Sequence, residues 1–226
     1  MVFKGLGRLG GTFYLIDRVL ARLSRRRLRL LGYWFYMQPV APQPRVQIKA
    51  GDAWQLGPIG PQRLPEAAFE RPAGAIPARF ADGSICVAAI RGDELGGFMW
   101  LKFGPVRERL VRCVFEPLPA NEACWDYDFY IAPKYRLGRL FARLWDAADE
   151  LMRSRGVRAT VSWVEFSNLA SARAHERLGA RRVGWGVFLK LGVVQVTFAS
   201  VRPFVHIAWT PRSACLLRIR IPEQRP

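Results

Sequence analysis

The sequence predicts an α/β (α+β) domain, a mixed and mostly antiparallel sheet flanked by helices, and three observations carry that prediction. From Ser84 onward, short apolar or alternating runs recur between turn signals, which is strand texture. One long segment, Leu137 to Met152, keeps apolar residues at helical spacing and stops at Gly156. Strands and helices are interleaved rather than segregated, the order of a sheet with helices on its faces.

Taken in order, Ile16, Val19, Leu20, Leu23 and Leu30 recur at helical spacing between Phe13 and Leu31, with Arg18, Arg22, Arg25, Arg26 and Arg29 on other faces. This predicts a basic amphipathic helix, followed by the aromatic cluster Tyr33, Trp34, Phe35 and Tyr36; together they make residues 1–38 one segment. It packs on the core of its own domain or of a second subunit, or else lies in a membrane interface with arginines against anionic lipid. Residues 39–80, punctuated by prolines and glycines, read as a connecting segment. Residues 81–200 hold the main domain. There Ser84 to Ile90 and Leu95 to Phe103 form a hairpin, and Arg107 to Glu116 and Trp125 to Ile131 are further antiparallel strands. Alternation puts Trp125, Tyr127, Phe129 and Ile131 on one face and Asp126, Asp128 and Tyr130 on the other. After the long helix come a strand, Val157 to Val164, a short helix, Leu169 to Leu178, and strands Val183 to Leu191 and Val193 to Ser200. Residues 201–226 read as a basic C-terminal extension.

At 226 residues, 50% hydrophobic and 23% charged, the chain has the composition of a globular protein with ample core. Its net charge of +17 is uneven: residues 1–49 hold ten Lys or Arg against Asp17 alone, residues 181–226 hold eight against Glu223 alone, and the stretch between is nearly neutral. Cationic ends around a neutral middle suit an anionic partner such as lipid headgroups, or simply a solvated surface. No nucleic-acid recognition motif is present, which disfavours that partner; a homodimer stays open. Four cysteines without CxxC spacing and two histidines argue against a metal site, and scattered thiols suit a reducing, cytoplasmic setting. Met1 to Gln38 is Arg-rich but lacks an apolar run ending in a small-residue cleavage site, so secretion is disfavoured. The longest apolar stretch, Val183 to Val201, is interrupted by Lys190 and Gln195 and reads as strands rather than a membrane span. The expected location is cytoplasmic, with peripheral membrane contact as the variant.

The chemistry concentrates in Ile131-Ala-Pro-Lys-Tyr-Arg-Leu-Gly-Arg-Leu-Phe141, a strand end, a cationic turn and a helix start. Free amide hydrogens and a positive dipole at a helix start suit a diphosphate, and Lys134, Arg136 and Arg139 add charge. This segment resembles the acetyl-CoA-binding motif of the GNAT acyltransferases, Arg or Gln, two residues, Gly, one residue, then Gly or Ala. Arg136 fits the motif Arg, which leaves Arg139 and Phe141 at positions where small residues are usual; a shift of one puts Gly138 on the first Gly and Tyr135 on the Arg or Gln. A second segment, Asn168-Leu-Ala-Ser171-Ala-Arg-Ala-His175-Glu-Arg-Leu-Gly179-Ala180, resembles the family's later motif, with Ser171 for Ala, His175 for Tyr and Ala180 for Phe.

The resemblance implies an acyl-CoA-dependent N- or O-acyltransferase using acetyl-CoA or another acyl-CoA as co-substrate, no metal, and an unidentified amine or hydroxyl acceptor. It implies main-chain contacts to the pantetheine from Phe129, Tyr130, Ile131 and Ala132, and a phosphate cradle of Lys134, Arg136, Leu137, Gly138, Arg139 and Leu140. Asn168 and Ser171 add pantetheine contacts, and His175 is the proton donor to the leaving thiolate, histidine being the side chain that exchanges protons near neutrality. Asp126 or Asp128 is the implied base, with Glu108 the alternative. Without the resemblance, His175 reads as a polar residue at a partly buried helix edge and the carboxylates as solvated sheet residues. The large side chains at 139 and 141 motivate a second class of function, a binding module of the same fold without catalysis.

Overall fold

The computed structural model describes residues 2–47, 53–64, 74–108, 110–136 and 138–223. In chain order its elements are α1 (Val2–Leu23), β1 (Leu28–Pro39), β2 (Gln55–Ile59), α2 (Ala75–Ala81), β3 (Ile85–Arg91), β4 (Glu94–Lys102), β5 (Val106–Arg107), β6 (Cys113–Leu118), β7 (Ala123–Ile131), α3 (Leu140–Ser154), β8 (Ala159–Glu165), α4 (Leu169–Arg177), β9 (Arg181–Leu191), β10 (Val194–Ala199), β11 (Val205–Ala208) and β12 (Cys215–Arg220). The mixed, mostly antiparallel architecture matches the sequence prediction. The chain forms two compact units, one of residues 1–39, 104–123 and 159–226, the other of residues 40–103 and 124–158.

The first unit is an antiparallel sheet ordered β11-β10-β9-β1-β8, with a small sheet β12-β6-β5 in which β12 and β6 run parallel. Here the expected helix from Phe13 to Leu31 is corrected. The helix breaks at Gly7, whose φ is +68°, and ends at Leu23. Ser24 then turns the chain, its hydroxyl donating to Leu20 O at 2.6 Å and accepting from Leu28 N at 2.8 Å. Arg25 and Arg26 follow at positive φ, and Leu28 enters a strand. The aromatic cluster is therefore no interfacial belt: it sits in β1, paired on both edges, with Tyr33, Phe35 and Tyr36 fully buried. Tyr33 stacks on Trp163 at 4.4 Å, and Phe35 meets Phe115 of the small sheet edge-on at 5.4 Å. β-Branched and aromatic residues favour a pleated buried surface, and tertiary burial overrides the weak helical period that Leu30 suggested.

The second unit is an antiparallel sheet β7-β4-β3-β2 between two helices. α2 packs on the face bearing Cys86, Ala88, Phe98 and Trp100, with Phe80 edge-on to Trp100 at 4.9 Å. On the other face α3 buries Leu144, Ala148 and Met152, the Met152 sulfur 3.5 Å from Cys124 Sγ. Burying that stripe, rather than intrinsic propensity, is what holds a 15-residue helix. Within the expected connecting segment, β2 and α2 are ordered elements; the Arg45 guanidinium pairs with Asp146 and Asp149 of α3, and the amides of Arg45 and Val46 donate to Asp146.

Candidate functional site

β7 ends at Ile131, and Ala132 N–H donates to Gly96 O at 2.9 Å, pinning the exit of the strand to β4. Pro133 then opens a single 3-10 turn, Pro133–Tyr135, because its fixed φ suits a helical start and it has no amide hydrogen to satisfy. Gly138 N donates to Tyr135 O at 3.1 Å, and α3 begins at Leu140 with Arg139 at its N-cap position. The N-cap residue Arg139 makes no capping hydrogen bond with its side chain. The first amides of a helix have no intrahelical acceptor and carry the positive end of the dipole, so an uncapped start of this kind is receptive to an anion.

A cavity of about 350 Å³ opens at this point, lined by Val46, Gln47, Trp54, Tyr135, Gly138, Arg139, Leu140 and Arg143. Its size falls in the range of small-molecule sites, roughly 300 to 1,000 Å³. Arg139 is exposed, whereas Arg143, one turn further along the same helix face, is only 8% exposed. Phe141 does not fill the opening: its ring turns onto Phe129 of β7, edge-on at 4.8 Å.

Two of the expected cradle cations are engaged elsewhere. Lys134 pairs with Glu94, which also accepts from Tyr135 Oη at 2.6 Å and Arg91 Nη2 at 2.7 Å. Lys134 first, then Tyr135 and Arg91, hold the Glu94 carboxyl down at about 2. Arg91 lies over the Trp54 ring at 4.7 Å, and Trp54 meets Tyr135 edge-on at 5.0 Å. The turn is thus fastened to the β3–β4 hairpin. Arg136 Nε donates to Ile131 O at 3.1 Å, closing its own loop. Leu137 lies outside the described residues.

β7 carries a bulge that the alternation pattern does not foresee. Trp100 faces Tyr127 but Phe98 faces Tyr130, so Asp128 and Phe129 together stand opposite Met99, and Asp128 takes φ +53°. The expectation that Asp126 and Asp128 share a face is therefore corrected. Asp128 pairs with Arg79 of α2, whose guanidinium lies 5.1 Å over each of the Trp100 and Tyr127 rings. Asp126, opposite Leu101, is 5% exposed on the α3 face, and the slip brings Phe129 to that side, against Phe141 and Trp145. A non-glycine residue at positive φ is strained by about 1 to 3 kcal/mol, and such strain gathers at functional positions. Tyr130 and Ile131 continue the ladder, opposite Phe98 and Gly97.

The remaining expected residues belong to the first unit. Asn168 caps α4, its Oδ1 accepting from Ser171 N at 3.1 Å, so these two meet through the cap itself. His175, on the same helix, stacks on Tyr36 at 5.7 Å and 20°, and its Nδ1 is buried without a hydrogen-bond partner among the described residues. Tyr36 Oη donates to Glu176 at 3.0 Å and accepts from Arg182 Nε at 2.8 Å; burial is the main cause of its raised pKa. Glu108 Oε1 accepts from Leu110 N at 3.0 Å, and its charge adds to burial in raising the pKa of Tyr33. Sequence reasoning did not single out Arg143, Glu94 or Trp54. Only Arg143 had a signal, lying four residues beyond Arg139 on the helix start.

An antiparallel sheet with a strand leading through a tight turn into a cationic, uncapped helix is the architecture of the acyltransferase class that the sequence pattern anticipates. The Acetyltransferase (GNAT) family matches residues 54–180, more than half of the chain, and the protein belongs to that family. Among curated proteins none matches. A functionally unknown conserved protein from Staphylococcus epidermidis superposes with a TM-score of 0.50 at 9% identity, covering 78% of this chain and 68% of that one. A putative GNAT-family acetyltransferase from Novosphingobium aromaticivorans gives a TM-score of 0.46 at 17% identity, covering 71% of this chain and 65% of that one. A tandem GNAT protein from the clavulanic acid biosynthesis pathway gives 0.48 at 12% identity, with 77% and 66% covered. The match leaves out β1, although that strand joins β8 to β9 in the first unit.

Proposed function

We propose that the protein is an acyl-CoA-dependent N- or O-acyltransferase, with acetyl-CoA as donor and an amine or hydroxyl acceptor attacking the thioester directly in a ternary complex. The observation that carries this reading is the uncapped start of α3 beside a cavity lined by Arg139 and Arg143, in a chain of this family. The diphosphate of the donor docks on the first amides of α3, with Arg139 and Arg143 as its counter-charges and Gly138 and Leu140 as walls. Main chain from Phe129 to Ala132, next to the bulge that takes one residue out of the ladder, pairs with the pantetheine. Asn168 and Ser171 serve that substrate chiefly by fixing the start of α4.

The acceptor's nitrogen or oxygen bonds to the thioester carbon, its proton passes to a carboxylate, and the carbon–sulfur bond breaks as the thiolate takes a proton from His175. Asp126 is the carboxylate we favour, from the strand on which the family resemblance places the base, with Asp128, which pairs with Arg79, and Glu108 as the alternatives. The chemistry belongs to residues 81–200, and the setting to the cytoplasm. Thiol release from acetyl-CoA in the presence of an amine and alcohol panel tests the proposal. Turnover that falls at least 100-fold in His175→Ala and in Asp126→Asn supports it. Release indifferent to both substitutions would refute the roles given to His175 and Asp126, and donor binding without any thiol release would leave the non-catalytic binding module, a reading that the engagement of Lys134 by Glu94 favours.

A further inference from the structure

α1 leaves an apolar stripe open to water. Its inward side is fixed by three contacts at helical spacing: a Cβ on Gly10 would stand 2.3 Å from Phe166 O, Phe13 meets the Phe166 ring edge-on at 4.9 Å, and Asp17 accepts from Arg29 Nε at 2.9 Å and Leu30 N at 2.8 Å. About a third of a turn round the helix from that side, Leu9, Ile16, Val19 and Leu23 form an apolar stripe, exposed by 47%, 42%, 55% and 79%, beside the outward Arg8 and Arg22. A helix on a globular surface ordinarily keeps polar residues there.

The sheet under α1 continues the pattern. Gly32, whose added Cβ would meet the Phe166 ring, pairs with Val187, Val187 with Phe198, and Phe198 with Val205, so these four positions lie in one row on the face that α1 covers only at β1. Beyond β1 the row is open, with Phe198 43%, Val205 55% and, in the next row, Ile207 39% exposed. Contiguous exposed apolar surface of this kind marks an interaction site. Its charge is of one sign: Arg8, Arg18, Arg22, Arg25 and Arg26 are all exposed, and Asp17, the one acid between residues 6 and 39, is turned inward and paired.

We infer that the first unit docks on an anionic lipid surface, laying the outer stripe of α1 and the open β9–β11 face into the interface with the arginines against headgroup phosphates. A second copy of the chain would bring the same arginines against these, and like charges in register repel. An anionic bilayer supplies both the apolar layer and the countercharge. None of the described helices is long and apolar enough to cross a membrane, so the contact is peripheral. It is independent of acyl transfer by the second unit's helix start.

The test is co-sedimentation of the full chain with vesicles of phosphatidylcholine alone and of phosphatidylcholine with 30% phosphatidylglycerol, alongside light scattering of the protein without lipid. Deleting residues 1–38 is unsuitable, because it removes β1. The expected result is binding to the anionic vesicles alone, weakened by salt, weakened about fivefold by Arg22→Ala, and weakened at least tenfold by Leu23→Glu, with near-ultraviolet dichroism unchanged in both variants. Equal partitioning into both vesicle types, no partitioning into either, or retention of binding by Leu23→Glu overturns the inference. A dimer that Leu23→Glu dissociates, without vesicle binding by the wild type, would also overturn it and assign the face to a second copy.

Discussion

Replacing Gly32 by alanine tests whether β1 runs beneath Phe166 as described. The added Cβ would stand 2.3 Å from Phe166 Cδ2 and 2.4 Å from Cε2, whereas carbon atoms rest about 3.5 to 4.0 Å apart. The ring would have to retreat by more than 1 Å. It has nowhere ready to go, being 6% exposed and held by Phe13 at 4.9 Å and Trp34 at 4.5 Å. Overpacking of this kind costs about 1 to 3 kcal/mol, and roughly 2 to 4 °C of melting temperature per kcal/mol is usual for a chain of this size. The loss should therefore show as a fall of roughly 2 to 12 °C in calorimetry or thermal dichroism. Gly32→Ala combined with Phe166→Leu should cost less than the two single changes added together, since the smaller side chain yields the space. At an unhindered position the same Gly→Ala change stabilises by about 0.4 to 1 kcal/mol through the unfolded chain, so a raised melting temperature would refute the packing argument.

Three further predictions follow from single contacts. Arg79→Ala removes the counter-charge of Asp128 in a site where both partners are mostly buried, and should destabilise by about 3 to 5 kcal/mol in urea titration, far more than an exposed ion pair would. Glu94 has its carboxyl lowered from 4.5 to about 2, so its contribution is present above 4.5 and lost as pH falls towards 2. Emission from Trp54, which touches Tyr135 and Arg91, should change across that window in the wild type and not in Glu94→Gln, whose turn is already released. Asn168→Ala removes the cap of α4 and should cost about 1 kcal/mol, while Asn168→Asp retains the acceptor and should be near neutral.

Much of the sheet was legible because its cues were local. The hairpin of β3 and β4, the stop of α3 at Gly156 and the stop of α4 at Gly179 each follow from turn chemistry within a few residues. β1 was not legible, since its partners Trp163 and Gly186 are more than a hundred residues away and its leucines mimic a helical period. The same limit hid the bulge at Asp128. Strict alternation places Asp126 and Asp128 together, and only the pairing with β4, where Met99 faces two residues, shows that they part. At the site, the cationic helix start could be read from Pro133 and Gly138, but the engagement of Lys134 by Glu94 depends on a hairpin forty residues earlier. Asn168 was legible as a motif residue, and its capping role follows from its place before Leu169.

The central claim is that the start of α3 holds a diphosphate with the help of Arg139 and Arg143. Calorimetric titration of acetyl-CoA into the wild type and into Arg139→Ala/Arg143→Ala tests it most directly, with thermal dichroism to show that both proteins are folded. Saturable binding by the wild type, weakened about a hundredfold in the double variant and relieved by competing inorganic diphosphate, is the predicted result. A folded wild type that takes up no acetyl-CoA at millimolar concentration, or binding that the loss of both arginines leaves unchanged, would contradict the account.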